Sequence, residues 1–98
     1  MHVVVVMPAR NEEVLISGSI ASIPKTVDWI VVVDDGSTDN TRELSERALY
    51  GRGEVVSTQG LGVGGAIEIG SKKALTRYGR NCIAVSYTHL TLPTILLV

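Results

Sequence analysis

Residues 31–39 read VVVDDGSTD, an aliphatic run that stops at two adjacent carboxylates and a glycine. A run of β-branched residues without alternation predicts a strand buried on both faces, which is typical of a parallel sheet. Residues 3–7 read VVVVM and are followed by Pro8, which is expected to stop a second strand of the same kind. The sequence therefore predicts two buried strands early in the chain, each followed by polar residues that are candidates for a shared site.

Helical segments separate the predicted strands. Isoleucines recur at helical spacing after the first strand, and we expect Asn11 to cap that helix, with Glu12 and Glu13 in its first turn. A second helix is expected after a cap at Thr38 or Asp39, and a third after the glycine-rich turn at residues 60–65. Alternation of strands and helices predicts an α/β fold with right-handed crossovers onto a parallel sheet. Two further strands are predicted at residues 54–58 and 82–85.

Composition excludes several classes of protein. The 98 residues are 45% hydrophobic with a net charge of −1, which indicates one globular domain and gives no basic face for nucleic acid. Cys82 is the one cysteine in the sequence, so a disulfide scaffold is excluded and a cytoplasmic, reducing compartment is expected. No apolar run approaches the roughly 20 residues of a membrane-spanning helix, and no segment has the pattern of a signal peptide.

Asp34 and Asp35 are the first candidates for binding chemistry. Adjacent carboxylates at the end of a buried strand cost desolvation and mutual repulsion unless a cation or hydrogen-bond donors meet them. Ligands of parallel sheets bind beyond the carboxyl ends of the strands, so a ligand is one natural partner, and Gly36 leaves the backbone open to it. A tight turn at Asp35-Gly36 followed by a helix cap at Asp39 explains the same residues equally well.

Three stretches jointly resemble family 2 glycosyltransferases of the GT-A fold. They are PARNEE at residues 8–13, VVVDDGSTDNT at residues 31–41, and GVGGAI at residues 62–67 with its continuation to residue 74. The resemblance covers Met1 to about Val85, and the nearest branch looks like the dolichyl or undecaprenyl phosphate sugar transferases. It implies the N-terminal part of a Rossmann-like nucleotide-diphospho-sugar transferase fold, with a parallel sheet flanked by helices.

The resemblance also implies which residues bind the donor, a UDP- or GDP-sugar. By position in the motifs, the nucleotide-binding role falls on Pro8, Glu12, Asp34 and Asp35, while Ala9 lines the base pocket. The acceptor in the nearest branch is a polyprenyl phosphate lipid, which would place the parent enzyme at the cytoplasmic face of a membrane. Further candidates for the donor site are Asn11, Gly36, Gly62 and Gly65.

A divalent metal, Mg²⁺ or Mn²⁺, is implied for the parent enzyme through an Asp-x-Asp motif after the fourth strand. Here the predicted strand at residues 82–85 runs into SYTHLTLPT, and no acidic residue follows Glu68. Hard cations need several oxygen ligands, which the lone His89 does not replace. We therefore expect these 98 residues to contain neither the metal motif nor a catalytic base, and to be inactive alone.

Residues 85–94 match the translation of GTC TCT TAT ACA CAT CTG ACG CTG CCG ACG, the end of a widely used transposase sequencing adapter, and the alternative is a natural hydrophobic tail. The closing ILLV fits the adapter's variable index and its last codons. We therefore expect a partial glycosyltransferase domain at residues 1–85, and a non-native tail at residues 86–98 that is excluded from fold reasoning.

Two other α/β modules also carry acidic or glycine-rich loops after strands. A receiver domain has its acidic pair after the first strand and a phospho-accepting aspartate after the third, whereas here the pair follows the second strand and Thr58 ends the third. A dinucleotide-binding domain needs its glycine fingerprint after the first strand, whereas the glycines at residues 60–65 follow the third. These glycines are interpreted as a tight helix start and helix-on-sheet packing, with diphosphate contact as the alternative.

The tail hypothesis predicts that the gene in its source genome departs from this sequence after about Ala84. Sequencing of the genomic locus is expected to show a different continuation, with an Asp-x-Asp motif after the fourth strand. Genomic DNA that reads through Tyr87 without adapter sequence on either strand would contradict the hypothesis.

Overall fold

The structure, a computed structural model, describes residues 1–87 and 94–97 of the chain. Strands and helices alternate along the first 86 residues, as the apolar pattern predicts. The elements are β1 (His2–Ala9), α1 (Ile16–Ala21), β2 (Trp29–Asp35), α2 (Thr41–Leu49), β3 (Gly53–Thr58), α3 (Gly62–Tyr78), β4 (Cys82–Ser86) and β5 (Thr94–Leu97).

The sheet has the strand order β3-β2-β1-β4-β5. β1 to β4 pair in parallel, which confirms the predicted α/β fold with a parallel sheet flanked by helices. β5 differs from this pattern, because it pairs antiparallel with β4 at the edge of the sheet. Of the predicted tail at 86–98, the structure describes residues 86, 87 and 94–97, whereas residues 88–93 and 98, including His89, lie outside the described part.

β1 continues through Pro8, so the prediction that this proline ends the strand is wrong. The carbonyl of Val6 accepts the N–H of Tyr87, so the backbone polar groups of Val6 point towards β4. Those of Pro8, two residues further along the strand, point in the same direction. Because proline has no N–H, the ladder between β1 and β4 ends at Val6, while the ladder between β1 and β2 continues to Ala9. Because β1 and β2 stay paired up to Ala9 and Asp34, the loops that follow the two strands begin side by side.

The central strands are buried on both faces, as their uninterrupted apolar runs predict. Val5 and Met7 of β1 pack in a layer with α1 and α2, which we call the α1/α2 layer. Val4 and Val6 point to the opposite face and pack in a layer with α3, which we call the α3 layer. Successive side chains at the end of a strand therefore point alternately into the α1/α2 layer and the α3 layer.

α3 packs closely on the sheet at Gly70, which is buried. A Cβ at this position would overlap the Cγ1 of Val6 and would lie 3.2 Å from the Cγ2 of Val33. The helix-on-sheet packing inferred for the glycines at residues 60–65 lies instead at Gly70, because a Cβ at Gly60, Gly62 or Gly64 would meet nothing within 4 Å. α3 is 17 residues long, and no helix within residues 1–87 combines the length and the hydropathy that a membrane-spanning helix needs.

The predicted cap of α1 is wrong. α1 begins at Ile16, its first turn contains no acidic residue, and Asn11 lies outside it with a left-handed φ of 53°. The carbonyl of Glu12 accepts the N–H groups of Leu15 and Ile16, so a turn separates Asn11 from the helix. Asn11 bonds instead to the loop after β2, as described in the next section.

Gly70→Ala is expected to destabilise the fold, because the added methyl group meets Val6 in a layer without free space. Overpacking of this kind costs about 1–3 kcal/mol. Gly64→Ala is the matched control in the same helix, because a Cβ at Gly64 meets nothing within 4 Å. This control is expected to stabilise the helix by up to about 1 kcal/mol. Urea unfolding of both variants measures the difference, and equal midpoints would contradict the packing argument.

Candidate functional site

Parallel register brings the three motifs to one edge of the sheet. Ala9 at the end of β1 pairs with Asp34, and Asp35 at the end of β2 pairs with Thr58 of β3. The loops that follow these strands and the start of α3 therefore meet at the carboxyl edge. Most of the site residues predicted from the sequence lie in these strand ends and loops, whereas Gly65 lies within the first turn of α3.

Asp34 and Asp35 point to opposite faces of the sheet. Side chains alternate along a strand, and Val32 and Val33 before them belong to the α1/α2 layer and the α3 layer, respectively. Asp34 therefore lies on the face of the α1/α2 layer, and Asp35 lies on the face of the α3 layer. Adjacency in sequence thus separates the two groups across the sheet. Hydrogen-bond donors, one of the expected ways to offset the cost of the pair, meet both carboxylates.

The carboxylate of Asp35 is held by donors of the protein itself. Its Oδ1 accepts the Thr58 hydroxyl at 2.6 Å and the Leu61 N–H at 2.8 Å, and its Oδ2 accepts the Gly62 N–H at 2.8 Å. These bonds, with the Thr58 hydroxyl as the largest cause, lower the pKa of Asp35 below its usual 3.8, and the charge of Arg10 acts in the same direction. Asp35 is only 4% exposed, and its donors account for its burial as an ion.

Asp34 sits in a different environment on the other face. Its Oδ1 accepts the N–H of Ser37 at 3.2 Å, which closes a turn at the end of β2. On the same face, a small, shallow groove lies between the end of β1 and α1. Its lining combines apolar residues with the polar residues Glu12 and Ser19. The residues that line it are Met7, Pro8, Glu12, Ile16 and Ser19.

Hydrogen bonds join the loop after β1 to the loop after β2. The N–H of Asn11 donates to the Ser37 hydroxyl at 3.0 Å, and the Asn11 side-chain oxygen accepts the N–H of Thr38 at 2.9 Å and its hydroxyl at 3.3 Å. A left-handed φ of 53°, which asparagine tolerates better than most residues, allows these contacts. Asn11 therefore positions one loop against the other, and its predicted nucleotide contact stays a prediction.

A second group of bonds extends this connection to the start of α2. Asp39 accepts the N–H of Thr41 at 3.0 Å, the N–H of Glu13 at 3.3 Å, and the Thr41 hydroxyl. The Thr41 hydroxyl also accepts the N–H of Glu12 at 2.8 Å, and the Glu13 carboxylate accepts the N–H of Asn40 at 3.1 Å. Asn40 holds the N-cap position of α2 without a side-chain cap bond, so the predicted cap at Thr38 or Asp39 is wrong. Asp39 precedes the cap and accepts the N–H of Thr41, the first residue of the helix.

The candidate glycines serve the backbone in different ways. Gly36 has a φ of 82° and Gly62 a φ of 80°, conformations that strain most other residues. Gly62 opens α3 and gives its N–H to Asp35, as expected for a tight helix start. At Gly65 a Cβ would lie 2.8 Å from the Cβ of Leu61, so a side chain there would crowd the preceding turn.

The described residues do not form a site for the divalent metal that the resemblance implies. Among residues 1–87, no group of three or more His, Cys, Asp or Glu side chains could hold a metal ion. Asp34 and Asp35 face opposite sides of the sheet, so they do not combine their oxygens around one cation. We therefore derive no chemical step through a metal bound by these residues.

The sequence model of glycosyl transferase family 2 matches residues 4–84 of this chain. The chain belongs to this family. Membership confirms the family resemblance and excludes the receiver and dinucleotide-binding alternatives. The matched segment begins in β1 and ends in β4, so it contains all three motifs at the carboxyl edge.

A curated relative and several solved structures support the assignment to this family 2 domain. An uncharacterized protein of Methanocaldococcus jannaschii is 41% identical over 77 residues, which cover 76% of this chain and 30% of that protein. Glucosyl-3-phosphoglycerate synthase from Mycobacterium tuberculosis, solved with Mn²⁺, UDP-glucose and phosphoglyceric acid, has a TM-score of 0.67 at 31% identity. The match covers 89% of this chain and 32% of the synthase.

S. aureus TarS, solved over residues 1–349, has a TM-score of 0.68 at 28% identity. That match covers 90% of this chain and 27% of TarS. The family 2 chain therefore spans about a third or less of the proteins that it resembles.

Sequence reasoning missed the hydroxyl residues of the site. Ser37, Thr38, Thr41 and Thr58 provide the bonds that hold Asn11, Asp35 and the loop after β1. The signal that could have found them is the concentration of hydroxyl and carboxylate side chains directly after buried strands. Such side chains bond to nearby backbone groups and compete with regular structure. These four hydroxyl residues are structural members of the site.

Asp39→Asn is expected to lower stability at pH 7. The Thr41 hydroxyl is the largest cause that lowers the pKa of Asp39 below its usual 3.8, with the N–H groups of Thr41 and Glu13 acting in the same direction. A carboxyl group whose pKa is lower in the folded state stabilises the fold above its unfolded-state pKa, and this contribution disappears as the pH falls through the folded-state pKa. The difference in urea midpoint between wild type and variant should therefore shrink below about pH 4.

Glu46→Gln is the control for this measurement. Glu46 pairs with Arg42 at 3.1 Å on an exposed face of α2, where an ion pair contributes little. A difference in urea midpoint between wild type and Asp39→Asn that is equally large at pH 3 and pH 7 would contradict the role of the ionised Asp39 carboxylate.

Proposed function

We propose that this chain is the donor-binding part of an enzyme that transfers a sugar from a nucleotide-sugar to an acceptor. The observation that carries the proposal is the parallel register that sets Ala9 beside Asp34 and Asp35 beside Thr58. Both pairs lie at the carboxyl edge, where ligands of parallel sheets bind. The synthase of Mycobacterium tuberculosis was solved with UDP-glucose, which supports a UDP-sugar as the donor here.

The nucleotide occupies the face of the α1/α2 layer in this proposal. Pro8 and the other apolar residues of the groove provide apolar contact for the base, and Ala9 lies buried at the end of β1 on the same face. Asp34 offers carboxylate oxygens to a base N–H or a ribose hydroxyl, and the Glu12 side chain lines the same groove. Gly36 has no side chain, so it leaves the backbone near Asp34 open to the nucleotide. On the other face, Asp35 accepts the N–H of Gly62. We call Asp35 and the turn at Leu61 and Gly62 the wall of the site.

The sugar transfer itself is assigned to parts of the parent enzyme other than these residues. A divalent metal would neutralise the charge of the departing nucleoside diphosphate. The described residues do not hold such a metal, and we assign no catalytic residue among them. We therefore propose that the chain alone is inactive and binds the donor weakly, with residues 1–85 as the partial domain and residues 86–98 as a non-native tail.

We propose a polyprenyl phosphate as the acceptor of the parent enzyme, with a cytoplasmic location at the membrane face. The three motifs support this choice through their resemblance to the polyprenyl phosphate branch of the family. The synthase supports a nucleotide-sugar donor, and TarS supports the fold of the domain.

Binding of the donor is tested by titrating the ¹⁵N-labelled chain with UDP-glucose and a GDP-sugar, with and without Mn²⁺ in parallel calorimetry. UDP-glucose is expected to shift the amides at the carboxyl edge, around residues 8–12 and 34–36. Asp34→Asn should weaken binding about tenfold or more, because a hydrogen bond to a charged group contributes about 1.5–3 kcal/mol.

Glu46→Gln on α2 is the matched control and should bind like the wild type. Shifts confined to the amino edge of the sheet, or no binding at all, would contradict the proposed donor site. Sugar transfer by these 98 residues alone would contradict the proposed inactivity.

A further inference from the structure

Thr58 occupies a junction between two elements of the candidate site. It is the last residue of β3 and pairs in register with Asp35 of β2. One residue, Gln59, separates it from the glycine-rich turn that leads into α3. The Thr58 hydroxyl donates to the Oδ1 of Asp35 at 2.6 Å, which is the shortest of the contacts to this carboxylate. Thr58 therefore reaches Asp35 from the sheet, whereas the other donors reach it from the helix.

Donors from two directions determine the orientation of the Asp35 carboxylate. The N–H groups of Leu61 and Gly62 bind different oxygens, each at 2.8 Å, and come from consecutive residues of one turn. The Thr58 hydroxyl adds a second bond to Oδ1 from the neighbouring strand. Without it, the carboxylate and the turn would still be joined, but no other side-chain bond among residues 1–87 would join the Asp35 carboxylate to β3. The plane of the carboxylate and the position of the turn relative to β2 would then be less constrained.

We propose that Thr58 is a positioning residue for donor binding, which acts through Asp35 and not by touching the nucleotide. The inference rests on the proposed function, because it assumes that the donor binds at the carboxyl edge. Thr58 holds Asp35 and, through it, the turn at Leu61 and Gly62, so the wall on the α3 face keeps one position relative to Asp34 on the other face.

The titration of Asp35 provides a measure of this role that needs no ligand. The Thr58 hydroxyl is the largest cause that lowers the pKa of Asp35, ahead of the Leu61 N–H. Gly62 and the positive charge of Arg10 act in the same direction, whereas burial acts against them. Loss of the Thr58 hydroxyl should therefore raise the pKa of Asp35, while the groups on the helix and on the loop after β1 remain in place.

Thr58→Val removes the hydroxyl and keeps the β-branched shape at the end of the strand. We expect a higher Asp35 pKa in a carboxyl ¹³C titration, together with UDP binding that is about threefold to tenfold weaker, as the loss of one hydrogen bond predicts. Thr58→Ser keeps the hydroxyl and should restore both the pKa and the affinity. Thr76→Val is the matched control, because the Thr76 hydroxyl donates to the Lys72 carbonyl within α3, away from the site.

Urea unfolding of each variant verifies that it is folded, and Thr58→Ala provides a second variant without the hydroxyl. An unchanged Asp35 pKa in both hydroxyl-free variants would overturn the inference. UDP affinity within twofold of the wild type in those variants, or a Thr58→Ser variant as weak as Thr58→Val, would overturn it too. A wild-type chain that does not bind UDP would instead refute the proposed function, and the donor-positioning role with it, whatever the pKa of Asp35 does.

Discussion

Parallel pairing of β2 with β1 on one side and with β3 on the other is the constraint on which the site depends. The pairing places Ala9 beside Asp34 and Asp35 beside Thr58, so three loops that are far apart in the sequence meet at one edge. The ladder between β1 and β2 outlasts the one between β1 and β4, because Pro8 has no N–H for β4. At the carboxyl edge, β1 and β2 therefore stay paired for three residues after the pairing of β1 with β4 has ended.

Polar groups at this edge largely satisfy one another. The loops after β1 and β2 provide hydrogen-bond partners for each other and within the loop after β2, at exposed positions and at the buried Thr41. Asn11 bonds to Thr38, Glu13 bonds to Asn40, and Asp39 bonds to Thr41. Motif residues of this family 2 domain thus have a structural function as well as a proposed binding function. A substitution among them is expected to change loop geometry even where the side chain touches no ligand.

The two neighbouring aspartates divide these functions between the faces of the sheet. Asp35 is bonded to Thr58 and to the start of α3, and its ionised form is stabilised there. Asp34 has Ser37 as its donor among the described residues and lies on the face that also carries the groove. This division makes Asp34 the better candidate for direct contact with a nucleotide and Asp35 the better candidate for holding the wall of the site.

The sequence by itself determined the strands, the alternation with helices and the three motifs, because long β-branched runs and turn residues act locally. It did not locate the start of α1, since Asn11 has the chemistry of a cap but takes part in a contact with Thr38 that lies far along the chain. Only the tertiary structure decided that Asp34 and Asp35 serve opposite faces and that Thr58 belongs to the site. The physical reason is that the pairing register determines which side chains of neighbouring strands lie next to each other. This register is set by the assembled sheet and not by any one strand.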